Sequence, residues 1–255
     1  MKDNLNLKAY KIQVQQPLSS FDARRRDEFS NIMINRFESS GGDHIDINKI
    51  WFSDEAHFML NGYVNKQNHR FWATENPHFA ISKSLHPARV TVWCAMSSLG
   101  IIGPVFLEQN VTGSTYRKML EDKFIPKIQE FGETQNFWFM QDGARPHRTA
   151  EVFGCLFQYF GQNVIGLDFL GFSGGGVEWP PYSPDLNPCD FFLWGYLKDR
   201  IYKKTPRNLE KLKTAIVDEI RGVEEGVIKC VISSFETRLR DAIATQGSHF
   251  ENIIH

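Results

Sequence analysis

The sequence predicts an α/β fold built on a mixed sheet, and three observations carry that prediction. Residues 48–59 alternate with a period of two, the run Phe137–Met140 is continuously apolar and ends at Gln141 and Asp142, and amphipathic helical stripes flank that run on both sides in sequence. Alternation marks a strand with two unlike faces, whereas an unbroken apolar run suits a central strand covered on both.

At 255 residues the chain has the length of one substantial domain with appendages. Its 42% apolar content and 21 phenylalanines supply an ample core. A formal net charge of −1 excludes a protein that grips nucleic acid by bulk charge alone, although a local basic face is compatible with it. Cys94, Cys155, Cys189 and Cys230 stand singly with no CxxC pair, so neither a disulfide framework nor a zinc site is indicated. No apolar run approaches the roughly 18 to 20 residues that span a bilayer, and the start lacks a signal-peptide apolar region, so no membrane association is expected.

The elements follow in order. Residues 1–46 read as a linker with one helix, spaced through Phe29, Ile32, Met33 and Phe37, carrying a basic cluster at 24–26 and stopped by Ser39, Ser40, Gly41 and Gly42. In the first strand Ile50, Phe52, Asp54, Ala56 and Phe58 share one face. Asn61 and Gly62 predict a hairpin turn into a second strand. A third runs through Val90 to Met96, with a turn near Gly100 and a short continuation, and strands so closely joined are expected to be antiparallel. Tyr116, Leu120, Phe124 and Ile128 form a four-residue helical stripe, the buried strand follows, and Val152, Phe153, Leu156, Phe157 and Phe160 mark the next helix. The Gly-rich stretch after it reads as a loop or short strand, and two amphipathic helices parted near Gly226 close the chain. This order matches a ribonuclease H-like arrangement, a mixed five-stranded sheet flanked by helices.

Asp54 is the one charge on an apolar face, and a buried carboxylate needs a partner or a cation. Asp142 ends the buried strand, where ligands gather in open α/β sheets. A third acid lies in "SPDLNPCD", at Asp185 or Asp190. Asn187 as N-cap and Pro188 at the first helical position put Asp190 at the third, where free amides favour an acid, so Asp190 is preferred over the turn residue Asp185. Three such charges together would repel by about 4 kcal/mol per pair at ~4 Å and an effective dielectric near 20, so a cation is required. Oxygen-only donors select Mg²⁺ or Mn²⁺, and two ions would clamp an in-line phosphoryl displacement. His57 and His147 read as structural or phosphate-adjacent rather than as ligands. Arg145, His147 and Arg148 are candidates for phosphate contact or for a solvated helix start. Lys198, Arg200, Lys203 and Lys204 read as a charged helix end or a DNA contact.

The stretches "WFSDEAHF", "VTVWCAMSSLGIIGPVFL", "FMQDGARPH" and "WPPYSPDLNPCDFFLWGYLKD" together resemble the catalytic domain of Tc1/mariner-family transposases, from about residue 10 to about 250. The resemblance implies an Asp, Asp, Asp/Glu triad at Asp54, Asp142 and Asp190, holding two Mg²⁺ or Mn²⁺ ions for DNA strand cleavage and strand transfer. It further implies double-stranded DNA as partner, a homodimer and a nuclear location. The catalytic domain is expected at 47–205, with helices at 206–255 packed on it. The gap between Asp142 and Asp190 is longer than is usual for mariner, which assigns a loop insertion to 163–176. Family members begin with helix-turn-helix modules that read the element ends, and this sequence opens at what resembles the linker after them. A catalytically idle or host-recruited remnant that binds nucleic acid or a partner is the alternative.

Overall fold

The computed structural model describes residues 17–60, 88–108 and 110–250. The predicted Asn61–Gly62 hairpin turn and its second strand lie outside them.

Five strands form one sheet: β1 (Ile50–Met59), β2 (Arg89–Ser97), β3 (Gly100–Leu107), β4 (Trp138–Met140) and β5 (Val164–Ile165). Their order is β3-β2-β1-β4-β5. β1, β2 and β3 pair antiparallel, while β4 is parallel to β1 and β5 to β4. The strand expected as a continuation beyond Gly100 is a full member, β3. This is the ribonuclease H-like sheet that the element order predicts.

Helices cover both faces. On one side lie α1 (Ser20–Glu38), α6 (Trp194–Lys203), α7 (Leu209–Arg221) and α8 (Glu225–Ala244), with Phe29, Met33, Leu197, Ile216, Phe235 and Leu239 packed on Phe52, Phe58 and Val92. On the other lie α2 (Gly113–Met119) and α4 (Ala150–Phe160), with Tyr116, Phe124, Leu156 and Phe160 packed on Trp51, Trp93 and Phe139. The alternation of β1 decides this: even positions 50 to 58 face the first layer, and Trp51 faces the second.

The stripe Tyr116, Leu120, Phe124 and Ile128 is buried throughout. A repeat of four exceeds the 3.6 residues of an α-helical turn, so a straight α-helix would rotate the stripe by about 40° per step. The chain inserts a π-helical turn at Leu120–Phe124 between α2 and α3 (Ile125–Ile128), which widens the turn and keeps all four residues on the core.

One expectation is refined. The Gly-rich stretch, read as a loop or short strand and as a loop insertion at 163–176, contains the short strand β5, the edge of the sheet, and the short α5 (Phe169–Ser173). A two-residue strand is too short to show periodicity. Gly176, at φ +99°, lets the chain return beside β5, because a Cβ there would lie 2.7 Å from the Val164 carbonyl oxygen. The last two helices part at 222–224, just before Gly226. The Gly222 amide closes α7 on Asp218, and Gly226 sits in the open first turn of α8, with no atom crowding it.

Candidate active site

Asp54 sits mid-strand, opposite Cys94 in the β1–β2 register, and is only 9% exposed. The Trp194 indole Nε1–H donates to its Oδ2 at 2.6 Å. Burial first, then the neighbouring Asp190 and Glu55 charges, push its carboxyl well above the ordinary range, with the Trp194 hydrogen bond opposing them.

Asp142 follows the end of β4. Its Oδ1 accepts from the Ala144 N–H at 3.0 Å in a local turn and lies 2.7 Å from His147 Nδ1. His147 is buried, stacked on the Tyr116 ring at 4.1 Å between centroids, with Nε2 3.2 Å from Glu55 Oε1. Burial works against an imidazolium here, but Glu55 and Asp142 outweigh it and raise His147 to about 10. Asp142 shows the mirror effect: burial raises it, and His147 more than reverses that, so its carboxyl lies below the usual value.

Asp190 is carried by "SPDLNPCD" into a helical turn one residue later than the cap argument predicts, with Pro188 rather than Asn187 at the N-cap. Asn187 Oδ1 accepts from the Cys189 N–H at 3.1 Å, and the Asn187 carbonyl accepts from the Asp190 and Phe191 amides. A π-helical turn at Cys189–Leu193 leads into α6. The loop is anchored to β1, since Asn187 Nδ2 donates to the Ser53 carbonyl at 3.3 Å and Cys189 Sγ to the Phe52 carbonyl at 3.3 Å. Asp190 is exposed as a residue, yet its carboxyl is crowded by protein. That crowding and the Asp142 charge push it up to about 7, against a hydrogen bond with Asp54 and the nearby Lys198.

The three carboxylates lie close enough to feel one another's charge, since Asp190 raises Asp54 and Asp142 raises Asp190; Asp54 is buried, Asp142 half-buried and Asp190 exposed. Among the described residues no group of three or more His, Cys, Asp or Glu stands at metal-ligating geometry. Burial and the Asp190 charge favour a proton on Asp54 instead, and burial and the Asp142 charge favour one on Asp190. The donor chemistry fits a hard divalent cation: all donors are oxygens, and, after burial, the Asp190 charge raises Asp54 and the Asp142 charge raises Asp190.

The basic candidates fare differently. His147 was a candidate DNA contact, and the structure corrects this: it is 3% exposed, and Asp142 and Glu55 face its two ring nitrogens. Arg145 is exposed; Arg148 pairs with Asp168 at 2.7 Å. Lys203 pairs with Asp199 at 2.6 Å, Arg200 and Lys204 both engage Glu219, and Lys198 lies 5.7 Å from the Phe58 ring centroid. Sequence reasoning did not single out Glu55. It also left Asp185 as a turn residue, although its carboxylate is bound by two nitrogens of buried Arg26, at 2.7 and 2.6 Å.

The mixed five-stranded sheet flanked by helices defines a ribonuclease H-like domain, with Asp54 within its central strand β1, Asp142 just past β4 and Asp190 at a neighbouring helix mouth. The chain is 28% identical over 202 residues to the Tc3 transposase of Caenorhabditis elegans, covering 78% of this chain and 57% of that protein. It thus spans little more than half the length of that relative. In fold it matches the catalytic domain of Mos1 mariner transposase, at TM-score 0.65 and 18% identity, covering 94% of this chain and all of that one. A Mos1 paired-end complex with a left transposon end matches at TM-score 0.73 and 16% identity, covering 98% and 69%. Solved Mos1 paired-end complexes with Mn and with Mg also share the fold. No family model matches the chain. Sequence and fold together support a Tc1/mariner transposase catalytic domain.

Proposed function

We propose that this chain is a divalent-metal-dependent DNA strand-cleaving and strand-transfer domain that acts in transposition. The observation that carries the reading is that Asp54, Asp142 and Asp190, drawn from three distant segments, stand within reach of one another's charge. Likeness to Tc3 transposase and to Mos1 complexes solved with a transposon end, Mn or Mg supports it.

Asp54, Asp142 and Asp190 would hold Mg²⁺ or Mn²⁺, in two sites. Bound there, such ions supply Lewis-acid activation of a water and stabilise charge on the phosphodiester oxygens. Trp194 fixes the Asp54 oxygen that turns inward, and His147 holds Asp142 ionised at neutral pH and aimed past the end of β4. Asp190, facing solvent, would offer its carboxylate oxygens to such a cation. Double-stranded DNA would approach the open side, where Lys198, Arg200 and Lys203 of α6 and Lys204 just past its end extend a basic edge. The homodimer and the nuclear location belong to the same proposal. An idle remnant has less support, since all three acids are present.

The test is nicking of supercoiled double-stranded DNA with Mg²⁺ or Mn²⁺. Wild-type chain is expected to nick and Asp142→Asn to lose activity by at least about 10²-fold. Absence of metal-dependent nicking by the wild type, or equal nicking by the variant, defeats the reading.

A further inference from the structure

The loop that carries Asp190 is gripped from its far side by two arginines of distant helices. Arg26 of α1 is fully buried. Its Nη1 and Nη2 donate to the two Asp185 carboxylate oxygens, Nη1 also reaches the Tyr182 carbonyl at 3.2 Å, and Nε donates to the Gly247 carbonyl at 2.7 Å. Arg238 of α8 donates through Nη1 to the Asp185 backbone carbonyl at 2.8 Å. The same guanidinium lies 3.9 Å from the centroid of the Phe191 ring, the residue next to Asp190. Both the turn before the third acid and the ring after it are thus held by charge.

We propose that Arg26 and Arg238 are positioning residues for Asp190, setting where the third carboxylate stands relative to Asp54 and Asp142. The inference rests on the proposed metal-dependent function. A bidentate guanidinium–carboxylate pair fixes direction as well as distance, and a guanidinium stacked on Phe191 fixes the rotation of the turn to which Asp190 belongs. The other two acids stand directly on or beside strands of the sheet. Asp190 alone stands on a loop-to-helix junction, so it alone needs such a hold. Partners of this kind, one step removed from the ligands, typically change metal affinity by about 10- to 100-fold when removed.

The test uses the 255-residue chain and Mn²⁺ alone, titrated by calorimetry, alongside thermal unfolding and amide hydrogen exchange of the metal-free proteins. Arg238→Gln is the main variant, because Arg238 is only partly buried and its loss leaves the Arg26–Asp185 pair intact. Arg26→Met combined with Asp185→Leu is the second, replacing a buried ion pair by apolar side chains of similar volume, a swap that commonly preserves folding. Both are expected to bind Mn²⁺ at least about 10-fold more weakly and to exchange the Asp190 and Phe191 amides faster, with exchange in β1 and β4 unchanged. Arg238→Lys is expected to regain little, because an ammonium cannot lie flat on Phe191. Variants that bind Mn²⁺ as the wild type does overturn the inference alone. Wild-type chain that takes up no Mn²⁺ overturns the metal reading and the inference together, and weakened binding with protection lost throughout the chain assigns the arginines to global stability instead.

Discussion

Trp194 Nε1 donates to Asp54 Oδ2 at 2.6 Å, joining the first residue of α6 to the middle of β1. The indole thus satisfies one oxygen of a carboxylate with almost no access to water, and the rest of the Trp194 ring packs edge-on to Phe58. Trp194→Phe keeps the packing and removes the donor. Loss of a hydrogen bond to a charged or partly charged buried group costs about 1.5 to 3 kcal/mol. A lower unfolding temperature together with reduced nicking is expected; unchanged values of both would show that this bond holds nothing in place.

Metal-free stability carries the signature of the crowded acids. Asp190 is pushed up to about 7 from 3.8, so in the folded chain it keeps its proton where the unfolded chain has lost it. Its contribution is therefore greatest at low pH and is lost as pH rises from about 4 through 7. Asp190→Asn is expected to raise the unfolding temperature near pH 7 to 8 and to flatten the slope below 7, while abolishing nicking. Thermal scans from pH 4 to 8 without metal and with chelator check this.

His147 governs the next window. Its pKa is raised from 6.5 to about 10, so its ion pairs contribute in full below about 6.5 and are lost as pH climbs through 10. His147→Gln should remove the fall in stability between pH 7 and 10 that the wild type shows. Glu55→Gln should reproduce part of that change, because Glu55 is one of the two acids that hold the imidazolium.

Glu219 restrains two of the basic residues proposed to meet DNA. Arg200 and Lys204 both bind it, and they hold its carboxyl below the ordinary range. Glu219→Gln frees both, so binding to non-specific duplex DNA should tighten at low salt and its salt-dependence slope steepen by up to about 2. An unchanged slope in a filter-binding or anisotropy titration would place this edge of α6 away from DNA.

Gly247 sits at φ +75°, and a Cβ there would stand 1.8 Å from the Ala23 carbonyl oxygen. Gly247→Ala should undock α1 from the end of α8, costing at least about 2 kcal/mol through backbone strain and overlap. Chemical denaturation measures the loss, and a variant of wild-type stability would show that α1 is not tightly seated.

The fold was legible where periodicity was long. The ten residues of β1 announce both their strand and the oddity of Asp54, and Asn187-Pro188 announces the helix that carries Asp190. Contacts that depend on register across the sheet were not legible. Glu55 meets His147 only because β1 and β4 run parallel with Phe52 beside Met140, a pairing that no local pattern encodes. Arg26 and Asp185 are separated by 159 positions, and each taken singly looks like an ordinary surface charge. β5, with two residues, leaves too little sequence for alternation to show.

The grip of Arg26 on Gly247 also sets a timetable. The two residues lie 221 positions apart, so during synthesis at roughly 5 to 20 residues per second the arginine waits about 10 to 45 s before its last acceptor exists. Until α8 has left the ribosome, the segment bearing Asp190 lacks the arginine that spans its turn. A growing chain therefore holds the segment bearing Asp190 without its clamp until α8 has emerged.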